Sequence, residues 1–373
     1  MLTYPMEERG SLPLYEYLCR RIRSDILNGT LSAGTRLPSK RALAEHLHVS
    51  VITVEGAYSQ LEAEGYLQAL PKRGFFVSAV EQTPPAPRET TSLPEQNPTR
   101  WRLDLSRNQV DTARFPVSTW AKLIRQVLSE EPEALLSPVP HQGLPALRQA
   151  IAADLRDFKG MAVSPEQIVI GAGAEYLYLL LAQLLGRDTV FAAEDPGYPK
   201  IRQVYRACGV SCVPIPLDGQ GVDPAALTAS GAKALHISPN HQYPTGLVTP
   251  IARRQALLRW AEEQAATIIE DDYDSEFRFT GRPIPTLQSI DLRGRVIYLN
   301  TFSQTISPSM RLGFLVLPPR LLDRYRRELG FYACTVPALE QHVLARFISG
   351  GHYERHLSRM RKEYRERRAE VVD

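Results

Sequence analysis

The sequence of 373 residues has little cysteine, no long apolar run, no internal repeat and almost no net charge. Four cysteines (Cys19, Cys208, Cys212 and Cys334) are too few and too scattered for a disulfide scaffold. Cys208 and Cys212 lack the paired spacing of a zinc site, so buried thiols are expected and no metal. The longest apolar stretch, Leu177 to Leu185, is about half a membrane span and contains Gln183. The opening MLTYPMEERG has no apolar core of a secretory signal. These absences point to a reducing, cytoplasmic setting with no membrane partner. Forty-four basic against 41 acidic residues leave +3, so any nucleic-acid contact must rest on a local patch.

What is present divides the chain. Residues 81–100, EQTPPAPRETTSLPEQNPTR, hold five prolines and, apart from Leu93, no large apolar residue. Such a segment cannot bury a core and reads as a semi-extended linker. It separates a small part, 1–80, from a large part, 101–373.

In the small part Leu14, Leu18, Ile22 and Ile26 recur every four residues, an apolar helix stripe ended by Asn28-Gly29. Ser39 is placed to cap a second helix carrying Leu43 and Leu47. Ser50 is placed to cap a third, with Val54, Ala57, Tyr58 and Leu61 on one face and Gly65 as its stop. Tyr66–Ala69 and Phe75–Ser78 read as two strands with Lys72 and Arg73 at the tip between them. Two short helices, a tight turn and a basic-tipped hairpin describe a winged helix-turn-helix. The same pattern also fits a protein-interaction module with a solvated charge pair.

Residues 34–67, GTRLPSKRALAEHLHVSVITVEGAYSQLEAEGYL, resemble the DNA-binding domain of the GntR regulators. The resemblance implies contacts to double-stranded DNA at Ser39, Lys40, Arg41, Ser50, Val51, Thr53, Lys72, Arg73 and Gly74. It also marks a departure. Val51 stands where that family often has a guanine-reading arginine, and it suits a thymine methyl instead. Glu55 replaces another frequent basic residue.

The large part alternates strand and helix, with strands expected at 167–170, 189–193, 233–237, 267–271, 295–300 and 312–317. Helices at 175–185 and 251–265 make this an α/β layer fold with a mostly parallel sheet. Ligands in such sheets sit at the carboxyl ends of strands. Gly171-Ala-Gly-Ala174 follows a strand and opens a helix, which suits an anion or simply close packing. The acidic run from Glu270 to Glu276 suits a cation, or supplies one carboxylate to a ring nitrogen. Thr301, Ser303 and Arg311 offer hydroxyls and a guanidinium suited to a phosphate.

The segments HISPNHQYPTG, IIEDDYDSEFRFTGRPIPTLQ and TFSQTISPSMRLGFLVLP resemble fold type I pyridoxal-phosphate enzymes of the aminotransferase class. Joined to a GntR domain, they resemble the MocR regulators. By that resemblance Gly173 and Ala174 cradle the phosphate of pyridoxal 5'-phosphate (PLP), and Thr301, Ser303 and Arg311 complete the cup. Tyr198 stacks on the ring, Asp271 faces its nitrogen and Tyr273 its hydroxyl. Tyr243 replaces an asparagine common in the enzymes. A homodimer and a vitamin B6 or small amino-compound effector are further expectations from the family.

Two departures matter. The family's Thr-Phe-Ser-Lys-Thr reads Thr-Phe-Ser-Gln-Thr here, so Gln304 takes the place of the Schiff-base lysine and no catalytic residue is assigned. An amide cannot form an imine or shuttle a proton. The nearest lysines in sequence, Lys233 and Lys362, are not obvious substitutes. Residues 352–373 resemble the long helix that leads to a C-terminal subdomain, so the domain is expected to be incomplete. Its basic run alternates with glutamates and reads as a solvated face. The expected function is a transcriptional regulator with noncovalent PLP. The alternatives are an active aminotransferase, disfavoured by Gln304, and a regulator with a vestigial site.

Overall fold

Leu18, Ile22 and Ile26 are buried, whereas Leu14, at the start of the same stripe, stays half exposed. They belong to α1 (Leu14–Leu27), which packs against α3 (Val51–Ala63), and α3 packs in turn against α2 (Lys40–His46). The computed structural model describes residues 2–80, 110–278 and 284–372. The chain divides into two compact units, Met1–Arg100 and Trp101–Asp373. The expected linker, 81–100, lies outside the described residues.

In the first unit Val54, Ala57, Tyr58 and Leu61 of α3 are fully buried. Each large side chain taken wholly out of water contributes about 1.5–3 kcal/mol, so this stripe fixes how α3 faces its neighbours. Ser39 Oγ accepts from the Ala42 N–H at 3.2 Å and Ser50 Oγ from the Thr53 N–H at 3.1 Å, capping α2 and α3. β1 (Leu67–Leu70) and β2 (Gly74–Val77) form the antiparallel wing. Each runs one residue out of step with its sequence-read bounds, because pairing of Leu67 with Val77 and of Leu70 with Gly74 sets the register. Tyr4, ahead of α1, is buried and donates to Asp25 at 2.7 Å.

Among the described residues the second unit is built on eight strands: β3 (Ile168–Gly171), β4 (Phe191–Asp195), β5 (Cys212–Asp218), β6 (Gly221–Val222), β7 (Ala234–Ile237), β8 (Thr267–Asp271), β9 (Val296–Thr301) and β10 (Gly313–Val316). They lie in the order β3-β10-β9-β8-β7-β4-β5-β6. The run from β9 to β5 is parallel, while β10 is antiparallel to both of its neighbours and β6 to β5. β5 and β6 were not legible in the sequence. Pro214 and Pro216 interrupt β5, and a proline cannot donate to a ladder. The strand tolerates them beside the sheet edge, where β6 pairs only with Leu217 and Asp218.

Both sheet faces are covered, so the strands read as continuous apolar runs. Alternation sorts them. Ile168, Ile170, Phe314 and Val316 pack with Ile151, Leu155, Leu344 and Phe347, while Val169 and Leu315 pack with Leu177, Leu181 and Leu184. β3, β4, β7, β8 and β9 therefore end on one rim, at Gly171, Asp195, Ile237, Asp271 and Thr301. In register, Gly313 pairs with Gly171 on one side and Thr301 on the other, bringing three sequence-distant segments to that rim.

Candidate functional site

The rim holds a cradle made by two segments. Gly173, at φ +82°, caps the helix Ala174–Leu185. A Cβ built on it would lie 2.8 Å from both Cζ and Nη2 of Arg311. Only a residue without a side chain lets the backbone and this guanidinium stand so close. Arg311 donates through Nη2 to the Ala172 carbonyl at 3.3 Å and to Glu175 Oε2 at 2.5 Å. Lys200 reaches the other oxygen of Glu175 at 3.2 Å. Burial opposes ionisation of Glu175, but hydrogen bonds from Arg311, its own backbone N–H and Lys200 outweigh it and pull the carboxyl to about 2. Backbone N–H groups at a helix start beside a guanidinium suit an anion, a place that the Glu175 carboxylate partly takes here.

Asp271 closes β8 and is buried. Its Oδ2 accepts from the Tyr178 hydroxyl at 2.6 Å and lies 3.3 Å from His236 Nε2. His236 Nδ1 is 2.8 Å from the Tyr205 hydroxyl. Both contacts use Oδ2, so among the described residues Oδ1 is left for a donor from outside. Tyr178, His236 and Tyr205 were not singled out by sequence reasoning. His236 falls within an expected strand and Tyr178 within an expected helix, while Tyr205 lies outside both.

Tyr198 opens the helix Pro199–Ala207, and its ring meets that of Tyr243 edge-on at 5.7 Å. Tyr273 stacks with His241, ring centroids 6.0 Å apart. Burial, then Asp274, Asp271, Glu194 and Tyr243, push its hydroxyl above the ordinary tyrosine range. Thr301 is buried at the end of β9, with Ser303 and Gln304 half buried in the turn after it.

Gln304 lines an open cleft with Asn240, His241, Asp274 and Lys159. The other predicted rim residues are not among that cleft's walls. Lys159, distant in sequence, lines the same cleft and was not marked by the sequence. It ends the helix Pro145–Lys159 and pairs with Asp272 at 2.8 Å and Glu276 at 2.9 Å. Burial works against its charge, but the two carboxylates outweigh that and hold the ammonium protonated. Among the described residues, no group of three or more His, Cys, Asp or Glu is arranged to hold a metal. None of their helices is long and apolar enough to cross a membrane.

In the first unit Ser50, Val51 and Thr53 stand at the start of α3, and Ser39, Lys40 and Arg41 at the start of α2. Lys72, Arg73 and Gly74 form the wing turn, with Lys72 at φ +61°. Arg41 and Lys72 are exposed, and Arg73 lies over the Phe76 ring at 5.6 Å. Lys40 is different: its Nζ pairs with Glu55 at 2.7 Å and lies 5.3 Å from the Phe75 ring centre. It ties α2 to α3 and the wing. Ile52, 78% exposed, was not marked by the sequence reading. Its position off the buried stripe of α3 was the available signal.

Residues 14–77 match the bacterial regulatory proteins of the gntR family, and residues 102–373 match aminotransferase class I and II. The chain belongs to the MocR-type regulators of the gntR family. It is 38% identical, over 97% of its length and 79% of the relative's, to the uncharacterized HTH-type transcriptional regulator YdeL of Bacillus subtilis. It is 37% identical to the HTH-type pyridoxine biosynthesis transcriptional regulator PdxR of Corynebacterium glutamicum, over 95% of this chain and 77% of that one. Among solved structures, the kynurenine aminotransferase of Pyrococcus horikoshii is 26% identical with a TM-score of 0.65, over 72% of this chain and 69% of that one. This MocR-type chain is therefore a DNA-binding transcriptional regulator with an aminotransferase-like domain of fold type I.

Proposed function

We propose that this regulator senses PLP, or a related amino compound, held noncovalently at the rim of its large unit. Gln304 is the observation that carries the reading, because the rest of the rim fits the group while this one position lacks an amine. The cradle between Gly173 and Arg311 suits a phosphate, with Ala174, Thr301 and Ser303 beside it. The second oxygen of Asp271 suits a ring N–H. Tyr198 would stack on the ring and Tyr273 would meet its hydroxyl. When bound in an enzyme, PLP supplies an electron sink for chemistry at an amino-acid α-carbon. Here the chain's residues bind and orient: the Gln304 amide holds no proton that it can transfer at that carbon and cannot be joined to the aldehyde. Association of two copies, each presenting one helix-turn-helix to one half-site, completes the proposal. The pyridoxine-linked name of the Corynebacterium relative supports an effector of this class.

The test is a PLP titration followed by visible absorbance, with borohydride added and the chain then weighed by mass spectrometry, on wild type and Gln304→Lys. Wild type is expected to bind reversibly and keep its mass, while Gln304→Lys gains one borohydride-fixed cofactor. A fixed cofactor on wild type would place attachment at another lysine, Lys159 first. Absence of binding to either protein would make the rim vestigial.

A further inference from the structure

α3 begins with two β-branched apolar side chains in solvent, Val51 at 42% and Ile52 at 78% exposure. They lie off the buried stripe of Val54, Ala57, Tyr58 and Leu61, so the fold does not use them for packing. The polar side chains around them are occupied. Ser50 Oγ accepts the Thr53 N–H at 3.1 Å and is 2.9 Å from Thr53 Oγ1. Glu55, one turn on, is held by Lys40 at 2.7 Å, which also neutralises a carboxylate that would repel phosphates. The Ser50 and Thr53 hydroxyls and one oxygen of Glu55 thus already have partners inside the protein, whereas the Val51 and Ile52 side chains have no place in the core.

The first unit carries exposed cations at Arg41, Lys72 and Arg73. Such cations bring a duplex close and set its register, but they carry no sequence information. Of the groups displayed in the major groove, the apolar one is the C5-methyl of thymine. We infer that Val51 and Ile52 read thymine methyl groups, so that the half-site selected by this chain carries A·T pairs under the first turn of α3. This rests on the first unit acting as the DNA-binding element. It differs from a guanine-reading turn in depending on dispersion and burial in place of hydrogen bonds.

The experiment starts with selection of duplexes from a random pool by the full chain. In the winning duplex each dT is then replaced by deoxyuridine, which removes the C5-methyl and leaves base pairing intact. Affinity is expected to fall by about fourfold for each contacted methyl, the worth of one buried methylene-sized group. Ile52→Ala, at an exposed position, is expected to melt like wild type and to lose that sensitivity at one dT. A selected duplex that is indifferent to deoxyuridine, or that places G·C pairs there with undiminished affinity, would overturn the inference while leaving DNA binding in place. Failure to select any duplex would overturn both, and an unchanged deoxyuridine response in Ile52→Ala would reassign the contact away from Ile52.

Discussion

Gly173 and Arg311, 138 positions apart in sequence, stand so close that a Cβ on the glycine would lie 2.8 Å from the guanidinium carbon. The left-handed φ of +82° at Gly173 adds a second demand for glycine. Gly173→Ala is expected to introduce about 1–2 kcal/mol of backbone strain, to displace Arg311 and to weaken PLP binding. Calorimetric titration and a thermal melt check this together. Unchanged affinity in a folded variant would show that the cradle does not hold the phosphate.

Tyr178 anchors Asp271 from beneath. Tyr178→Phe removes a buried hydroxyl that donates to Oδ2 at 2.6 Å, leaving His236 as the remaining partner of that oxygen among the described residues. A hydrogen bond to a charged group contributes about 1.5–3 kcal/mol. The variant is expected to lose thermal stability and to shift the absorbance maximum of bound PLP, since Asp271 faces the ring nitrogen in the proposal. A stability loss with an unmoved spectrum would assign Tyr178 to packing alone.

The rim also makes a pH signature. Burial raises Glu194 from its ordinary 4.5 to about 7, against the opposing pull of the Ser238 N–H and Gln242. Burial likewise raises Glu270 to about 7, with Asp272 adding to it. A carboxyl raised on folding holds a proton that the unfolded chain releases. Its stabilising contribution is full below about 4.5 and is lost as pH rises through about 7. Thermal stability is therefore expected to fall between pH 5 and pH 8 from these two groups. Glu194→Gln keeps an acceptor for Ser238, and its melting curve is expected to depend less on pH and to lie above wild type at pH 8. Parallel curves for the two proteins would contradict this.

The cations of the first unit are separable by salt. Arg41→Ala combined with Arg73→Ala is expected to weaken binding to all duplexes alike and to lower the slope of log affinity against log salt by about 2. Lys40→Ala is expected to act differently. Lys40 is paired with Glu55, so its loss frees a carboxylate and loosens the junction of α2, α3 and the wing. The check is a salt series of anisotropy titrations on one selected duplex, and equal slopes in the double variant and wild type would remove Arg41 and Arg73 from the interface.

Local chemistry explains what the sequence made legible. The four-residue stripe of α1, the serine caps at 39 and 50 and the buried face of α3 are dictated within a few residues, and the structure has them. Six strand positions were visible because β-branched and aliphatic residues cluster in short runs. β5 was hidden by Pro214 and Pro216, whose tolerance depends on a place beside the sheet edge that no local pattern announces. The tie between Gly173 and Arg311, the anchoring of Asp271 by Tyr178 and His236, and the arrival of Lys159 in the cleft with Gln304 all join residues distant in sequence. Each is a consequence of strand order. The pairing of Lys40, expected as a DNA contact, with Glu55 was likewise not legible, because Glu55 lies on the next helix.

The most direct test of the account measures the affinity of the full chain for one selected duplex by fluorescence anisotropy, with and without PLP. The account predicts that PLP shifts the wild-type affinity reversibly, that the shift disappears on dialysis, and that Gly173→Ala no longer responds. A wild-type affinity indifferent to saturating PLP would contradict the claim that the rim is this regulator's sensor.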